Sequence, residues 1–204
     1  MTETLHGVAA IAGGRIGPNA IIQTVAALRE RLGGAGADAF LERTGHAELR
    51  SALPHDMVDE AQVNTLMRSV FAELGQDAAL EVLDRSGALT GAYLLTNRIP
   101  KPAHILLPLL PARIALRILA GAIGKHAWTF AGTGHVAFTP GPEPAFSITG
   151  CPLCRGLTAD RPVCPFYRAT FAFLLRALVS RSTQVTETAC QAAGAPACRF
   201  TIRL

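Results

Sequence analysis

The C-terminal run Glu187-Thr-Ala-Cys190-Gln-Ala-Ala-Gly-Ala-Pro-Ala-Cys198-Arg-Phe-Thr-Ile-Arg-Leu204 decides the fold class. From Cys198 onward, Cys198, Phe200, Ile202 and Leu204 alternate with Arg199, Thr201 and Arg203. Side chains of a strand point alternately to its two faces, so this is a half-buried strand of an antiparallel sheet. Gly194 and Pro196 place a turn before it, returning the chain from a strand that carries Glu187. Upstream, segments 126–130, 135–139 and 145–149 are short, β-compatible and separated by Gly or Pro, and they predict further strands.

The first half has helical spacing instead. Pro18 precedes Ile21, Ile22, Val25, Leu28 and Leu32, and Gly33-Gly34 predicts the stop of this first helix. A second helix is expected from about Asp56, with Asp59 as capping partner, an apolar face from Val63 to Leu74, and Gly75 at its end. A third spans 77–96. Its Gly87 and Gly91 lie four apart on one face, where a neighbouring backbone can come close, and Ile99-Pro100 and Pro102 break it. A fourth, 112–124, carries Arg113, Arg117 and Gly121 on one narrow face of an otherwise apolar cylinder, the pattern of a buried helix or one lining something apolar. A last helix follows Cys164-Pro165. Helices followed by mostly local strands imply an α+β fold, with helices packed on an antiparallel sheet, and not a doubly wound sheet.

Composition sets the bounds. With 204 residues, 50% of them hydrophobic and 17% charged, the chain can bury a sizeable core and is not disordered. One domain over 1–204 is expected, with 1–14 as a lead segment. The most apolar stretch, 105–124, is interrupted by Pro108, Pro111, Arg113 and Arg117 and does not read as a membrane span. The start shows no basic region followed by an apolar block, so no secretory leader is expected and the location is read as cytoplasmic. A net charge of +4 without a basic run argues against a nucleic-acid partner.

All five cysteines, Cys151, Cys154, Cys164, Cys190 and Cys198, lie in the last quarter. In such a location they are thiols or metal ligands, not a disulfide framework. The strongest constellation is Cys164, Glu187, Cys190 and Cys198: three thiolates and a carboxylate satisfy tetrahedral zinc, and four protein ligands leave no open position for catalysis. Glu187 and Cys190 are three apart, so the ladder must end or bulge between them if both face one ion. Cys151-Pro-Leu-Cys154 is a rival half-site, and simple burial of small thiols is the plain alternative.

The run Glu187-x-x-Cys190-x7-Cys198-Arg-Phe, with Cys164 ahead of an aromatic-rich helix, resembles the 4-vinyl-reductase domain family. That family is related to the ligand domains of phenol-sensing activators and to Bet3-type tethering subunits. The resemblance implies a structural zinc on Cys164, Glu187, Cys190 and Cys198. Arg15-Ile-Gly-Pro-Asn-Ala, Arg98-Ile-Pro, His126-Ala-Trp-Thr-Phe and Cys151-Pro-Leu-Cys-Arg-Gly extend it, over 15–204, to the bacteriochlorophyll-biosynthesis branch of the family. Two roles are implied: reduction of a divinyl protochlorophyllide, or carriage of a magnesium-porphyrin intermediate between the magnesium chelatase large subunit and the magnesium-protoporphyrin methyltransferase. A non-catalytic scaffold of that step is a third reading. The same resemblance implies a homodimer and a position at the periphery of the photosynthetic membrane.

A reductase needs a hydride source. Gly132-Thr-Gly134-His-Val-Ala137 formally fits a dinucleotide fingerprint, but Pro140 and Pro142 follow where a helix should start, so a hairpin turn is expected. Ala12-Gly13-Gly14-Arg15-Ile16-Gly17 reads as a helix entry, with an anion at that helix N-terminus as the alternative, preceded by a strand over 8–11. A carrier needs an apolar wall, supplied by 105–124, and polar anchors. Arg113 and Arg117 suit propionates, Trp128 and Phe130 suit stacking, and His104, His126 and His135 are axial candidates for magnesium. His104 and Trp128 are the preferred pair, because the phenol sensors use a His and a Trp ahead of the zinc cysteines.

Overall fold

The computed structural model describes residues 13–204. The strand expected over 8–11 lies outside the described residues. Two short strands, β1 (Arg15–Ile16) and β2 (Val58–Asp59), pair antiparallel. The helices are α1 (Asn19–Arg43), α2 (Glu60–Leu74), α3 (Gln76–Asn97), α4 (Lys101–Leu106), α5 (Ala112–Lys125), α6 (Trp128–Ala131) and α7 (Pro165–Leu178). The main sheet holds β3 (His135–Thr139), β4 (Ala145–Thr149), β5 (Gln184–Ala189) and β6 (Cys198–Arg203). Its order is β3-β4-β6-β5, all antiparallel. Helices packed on an antiparallel sheet are the α+β arrangement expected.

The layers follow from side-chain size. Cys198, Phe200 and Ile202 of β6 point inward with Phe146 and Ile148 of β4. On them lies α7, whose Phe171 stacks on Phe146 at 4.6 Å between ring centres and meets Phe200 edge-on at 5.5 Å. Each such pair adds about 0.5–1.5 kcal/mol beyond area burial. The other side of α7 meets α3, and nearly every residue of α7 is therefore buried. Gly87 makes this second contact possible: a Cβ there would sit 2.2 Å from the Phe166 carbonyl oxygen. The Thr170 hydroxyl donates to the Gly87 carbonyl at 3.0 Å in the same place. Outside α3 lies α1, joined through buried Thr24 and Ser86, whose hydroxyls are 2.9 Å apart.

Several local expectations change. The first helix does not stop at Gly33-Gly34. Gly33 takes φ 73°, kinks the helix, and α1 runs on to Arg43. The second helix begins at Glu60, not near Asp56, because the Asp59 carboxylate itself caps it, accepting from the Ala61 N–H at 2.8 Å. Segment 126–130 is not a strand. Its backbone turns into α6, with the Thr129 hydroxyl donating to the His126 carbonyl at 2.7 Å. Finally, 105–124 is not buried throughout. Ala115, Leu116, Leu119 and Ala120 of α5 pack inward, while Ile105, Leu106, Leu109, Leu110, Ile114 and Ile118 stand in solvent. Trp128, which packing statistics would place in the core, is 60% exposed.

A buried carboxylate that sequence reasoning missed locks the two ends of the chain together. Glu60 accepts from the Thr133 N–H at 2.7 Å and its hydroxyl at 2.6 Å, and pairs with Arg155 at 2.7 Å. Gly132, at φ 55°, lets the 132–134 turn close on it, since a Cβ there would lie 2.0 Å from the carboxylate. The glycine fingerprint is thus a helix-to-strand turn, not a hairpin, and its free N–H is filled by the protein's own carboxylate. The glycines of the other segment behave alike: Cβ atoms on Gly13 and Gly14 would meet the carboxylates of Asp59 and Glu60, which rules out an anion there. Burial would raise the Glu60 pKa, but the Thr133 and Arg155 hydrogen bonds outweigh it and hold the carboxyl below its ordinary value. A depressed native pKa adds stability above the unfolded value, lost as pH falls through the native one. Glu60→Gln is expected to cost about 1.5 kcal/mol at pH 7. Urea unfolding should show that cost shrinking below about pH 4; an equal cost at both pH values contradicts the assignment.

Candidate functional site

The cysteines meet behind β6. Pairing of Ile148 with Cys198 fixes where the chain leaves β4, so Cys151 and Cys154 emerge beside Cys198. The Gln191 side chain accepts from the Cys151 N–H at 2.7 Å and donates to Pro196 at 3.2 Å, tying this loop to the β5–β6 turn. From the other side Asn64 of α2 donates to the carbonyls of Pro152 and Arg155. Cys164 sits at the N-terminus of α7. On β5 the register shifts between Glu187 and Ala189 and the strand ends there, which is the irregularity the spacing of Glu187 and Cys190 required.

The sulfur atoms define the chemistry. Cys164, Cys190 and Cys198 form a triangle with edges of 3.8, 3.8 and 3.7 Å. Cys154 lies 3.5 Å from Cys198 and Cys151 3.7 Å from Cys164. A disulfide needs about 2.05 Å, so none of these pairs is bonded. Four sulfurs held about 2.3 Å from a zinc ion stand about 3.8 Å apart, close to the edges observed. Two overlapping quartets have all donor atoms within 4.8 Å of one another. One is Cys164, Glu187, Cys190 and Cys198; the other is Cys151, Cys154, Cys164 and Cys198.

Glu187 supports a cation independently. One carboxylate oxygen accepts from the Cys164 N–H at 2.7 Å, while Oε1 is buried without a hydrogen-bond partner. Burial, then the neighbouring Cys190, pushes its pKa up to about 9. A buried oxygen without a donor is costly unless a metal or proton meets it. The donor set therefore fits a thiolate-binding metal ion.

The pigment-pocket candidates are dispersed. Arg113 and Arg117 share the rim of a pocket of about 20 Å³ with Leu116, Phe138 and Pro144, and Arg113 donates to the Gly141 carbonyl at 3.0 Å. His126 is exposed and its Nδ1 lies 2.9 Å from the Ala122 carbonyl. Phe130 turns inward, its ring 6.0 Å from Tyr167 and its carbonyl accepting the Tyr167 hydroxyl. His104 on α4 is half-buried with an unpartnered Nε2, and His135 is exposed at the start of β3. Those two and Trp128 do not line the Arg113–Arg117 pocket.

Residues 144–204, from β4 through the cysteine site to the C-terminus, match the model of the 4-vinyl-reductase domain. Across nearly the whole chain there is a nearer relative: the bacteriochlorophyll synthase 23 kDa chain of Cereibacter sphaeroides is 41% identical, over 97% of this chain and 94% of its own. The chain belongs to that family. Among solved structures, the phenol-responsive sensory domain of the transcription activator PoxR with phenol superposes with a TM-score of 0.52 at 16% identity, over 74% of this chain and 78% of its own. A structure probing haem distortion in the H-NOX family gives 0.54 at 13% identity, over 93% and 95%. These likenesses establish a shared architecture.

Proposed function

We propose that this chain is a tetrapyrrole-binding accessory protein of bacteriochlorophyll synthesis. It holds a magnesium-porphyrin or protochlorophyllide intermediate and passes it between the magnesium chelatase large subunit and the magnesium-protoporphyrin methyltransferase. The observation that carries this reading is the full-length kinship with a bacteriochlorophyll synthase 23 kDa chain. The shared fold adds support, since H-NOX relatives of the architecture are haem proteins.

In this reading Arg113 and Arg117 meet the propionates, Trp128 stacks on the macrocycle, and the unpartnered His104 Nε2 faces the magnesium. The Arg113–Arg117 pocket of about 20 Å³ is far below the ~300–1,000 Å³ of ligand sites, so pigment entry requires α5 to move off β3. A zinc ion on Cys164, Glu187, Cys190 and Cys198 supplies a cross-link joining α7, β5 and β6.

The test is a titration with magnesium protoporphyrin monomethyl ester, without reductant, followed by Soret absorbance. Saturation at one pigment per chain or per dimer, weakened by Arg113→Ala with Arg117→Ala, is expected. Consumption of NADPH with a change of pigment mass would make the chain a vinyl reductase. Absence of saturable binding would leave a scaffold and sink the carrier.

A further inference from the structure

We infer that the outer surface of α4, the turn after it and α5 docks on an anionic lipid bilayer. Among the described residues, every large apolar side chain that stands exposed falls between positions 105 and 128, with Leu109 at 77% and Ile105 at 68%. Such concentration marks a contact surface, since scattered single exposures need no explanation. It does not arise from a helix left loose. One arc of α5 is anchored through Ala115, Leu116 and Leu119, and the opposite arc presents Ile114 and Ile118 outward.

Charge identifies the occupant. From Arg85 to Pro142 the sequence holds no Asp or Glu, yet it carries Arg98, Lys101, Arg113, Arg117 and Lys125. Among the described residues none of these five forms an ion pair, whereas eight other arginines do, all outside this surface. Asp84, the last carboxylate before the segment, is already held by Arg168. An apolar face with basic residues beside it and a tryptophan at its edge is the composition of a helix lying in the bilayer interface. Apolar burial and attraction to anionic headgroups then act together, each marginal alone. A second copy of the chain fits worse, because two such faces would set cation against cation. No helix of the described residues is long and apolar enough to span a membrane, so the contact is superficial.

Trp128 is the only tryptophan and reports on this surface directly. Pigment-free protein is mixed with vesicles of phosphatidylcholine alone or with equimolar phosphatidylglycerol, and binding is read by co-sedimentation and Trp128 emission. At least tenfold tighter binding to the anionic vesicles is expected, with a blue shift and weakening at high salt. Leu109→Asp with Ile118→Asp should lose at least tenfold while thermal unfolding stays unchanged, because neither side chain is buried. Equal binding to both vesicles, absence of binding, or self-association that the double variant abolishes would each overturn the proposal. No pigment takes part, so failure here leaves the carrier reading standing, and failure of the Soret titration leaves this one.

Discussion

Gly87→Ala is expected to lower stability by about 2 kcal/mol, against the ordinary trend for glycine in a helix. Helix propensity alone favours alanine by about 1 kcal/mol. Here the new Cβ would stand 2.2 Å from the Phe166 carbonyl oxygen, and backbone atoms cannot rotate aside as a side chain can. Relief requires α7 to retreat from α3, breaking the Thr170–Gly87 hydrogen bond and loosening buried contacts, a strain of about 3 kcal/mol. Phe166 follows Cys164 by two residues, so the retreat also pulls a sulfur from its triangle, and metal retention should fall in parallel. Gly34→Ala is the control: nothing lies within 4 Å of a Cβ there, and it should be neutral or stabilising by up to about 1 kcal/mol. Denaturant midpoints of the two variants decide the matter; equal midpoints would mean that α3 and α7 are not in close contact.

Loss of a thiolate should be costlier still. Purified protein is expected to carry about one zinc per chain by elemental analysis. Cys164→Ser and Cys198→Ser each strike both quartets and should lose the metal and about 4 kcal/mol of stability or more. For a domain of this size that corresponds to a fall in melting temperature of about 8–16 °C. Chelation of the wild type should reproduce the fall. The quartets separate through their private members. Glu187→Ala with Cys190→Ser should release zinc, while Cys151→Ser with Cys154→Ser should keep it. The reverse outcome would move the ion to the all-cysteine quartet.

What could be read without coordinates was what is local. Alternation in β6, the glycine spacing on α3 and the irregular strand between Glu187 and Cys190 are each encoded within a few residues. The misreadings share one cause: they depend on which neighbour is present. The apolar α5 gives no hint that one of its faces lacks a partner. The β-prone composition of 126–130 is overruled because Tyr167, far along the chain, holds the Phe130 carbonyl at 2.8 Å. Glu60 meets Thr133 and Arg155 across 73 and 95 positions, with only glycines in the intervening turn to hint at a close approach. The second cysteine quartet was visible as a spacing, but only the β4–β6 register shows how near it comes to the first.

The contact between α3 and α7 also orders events during synthesis. Gly87 leaves the ribosome 83 residues before Thr170, its hydrogen-bond partner. At about 5–20 residues per second the groove on α3 waits roughly 4–17 s for the helix that fills it. Throughout that interval α1, α2 and α3 are assembled around a missing centre, and the last quarter of the chain must arrive, with its cysteines still reduced, before the nascent protein can close.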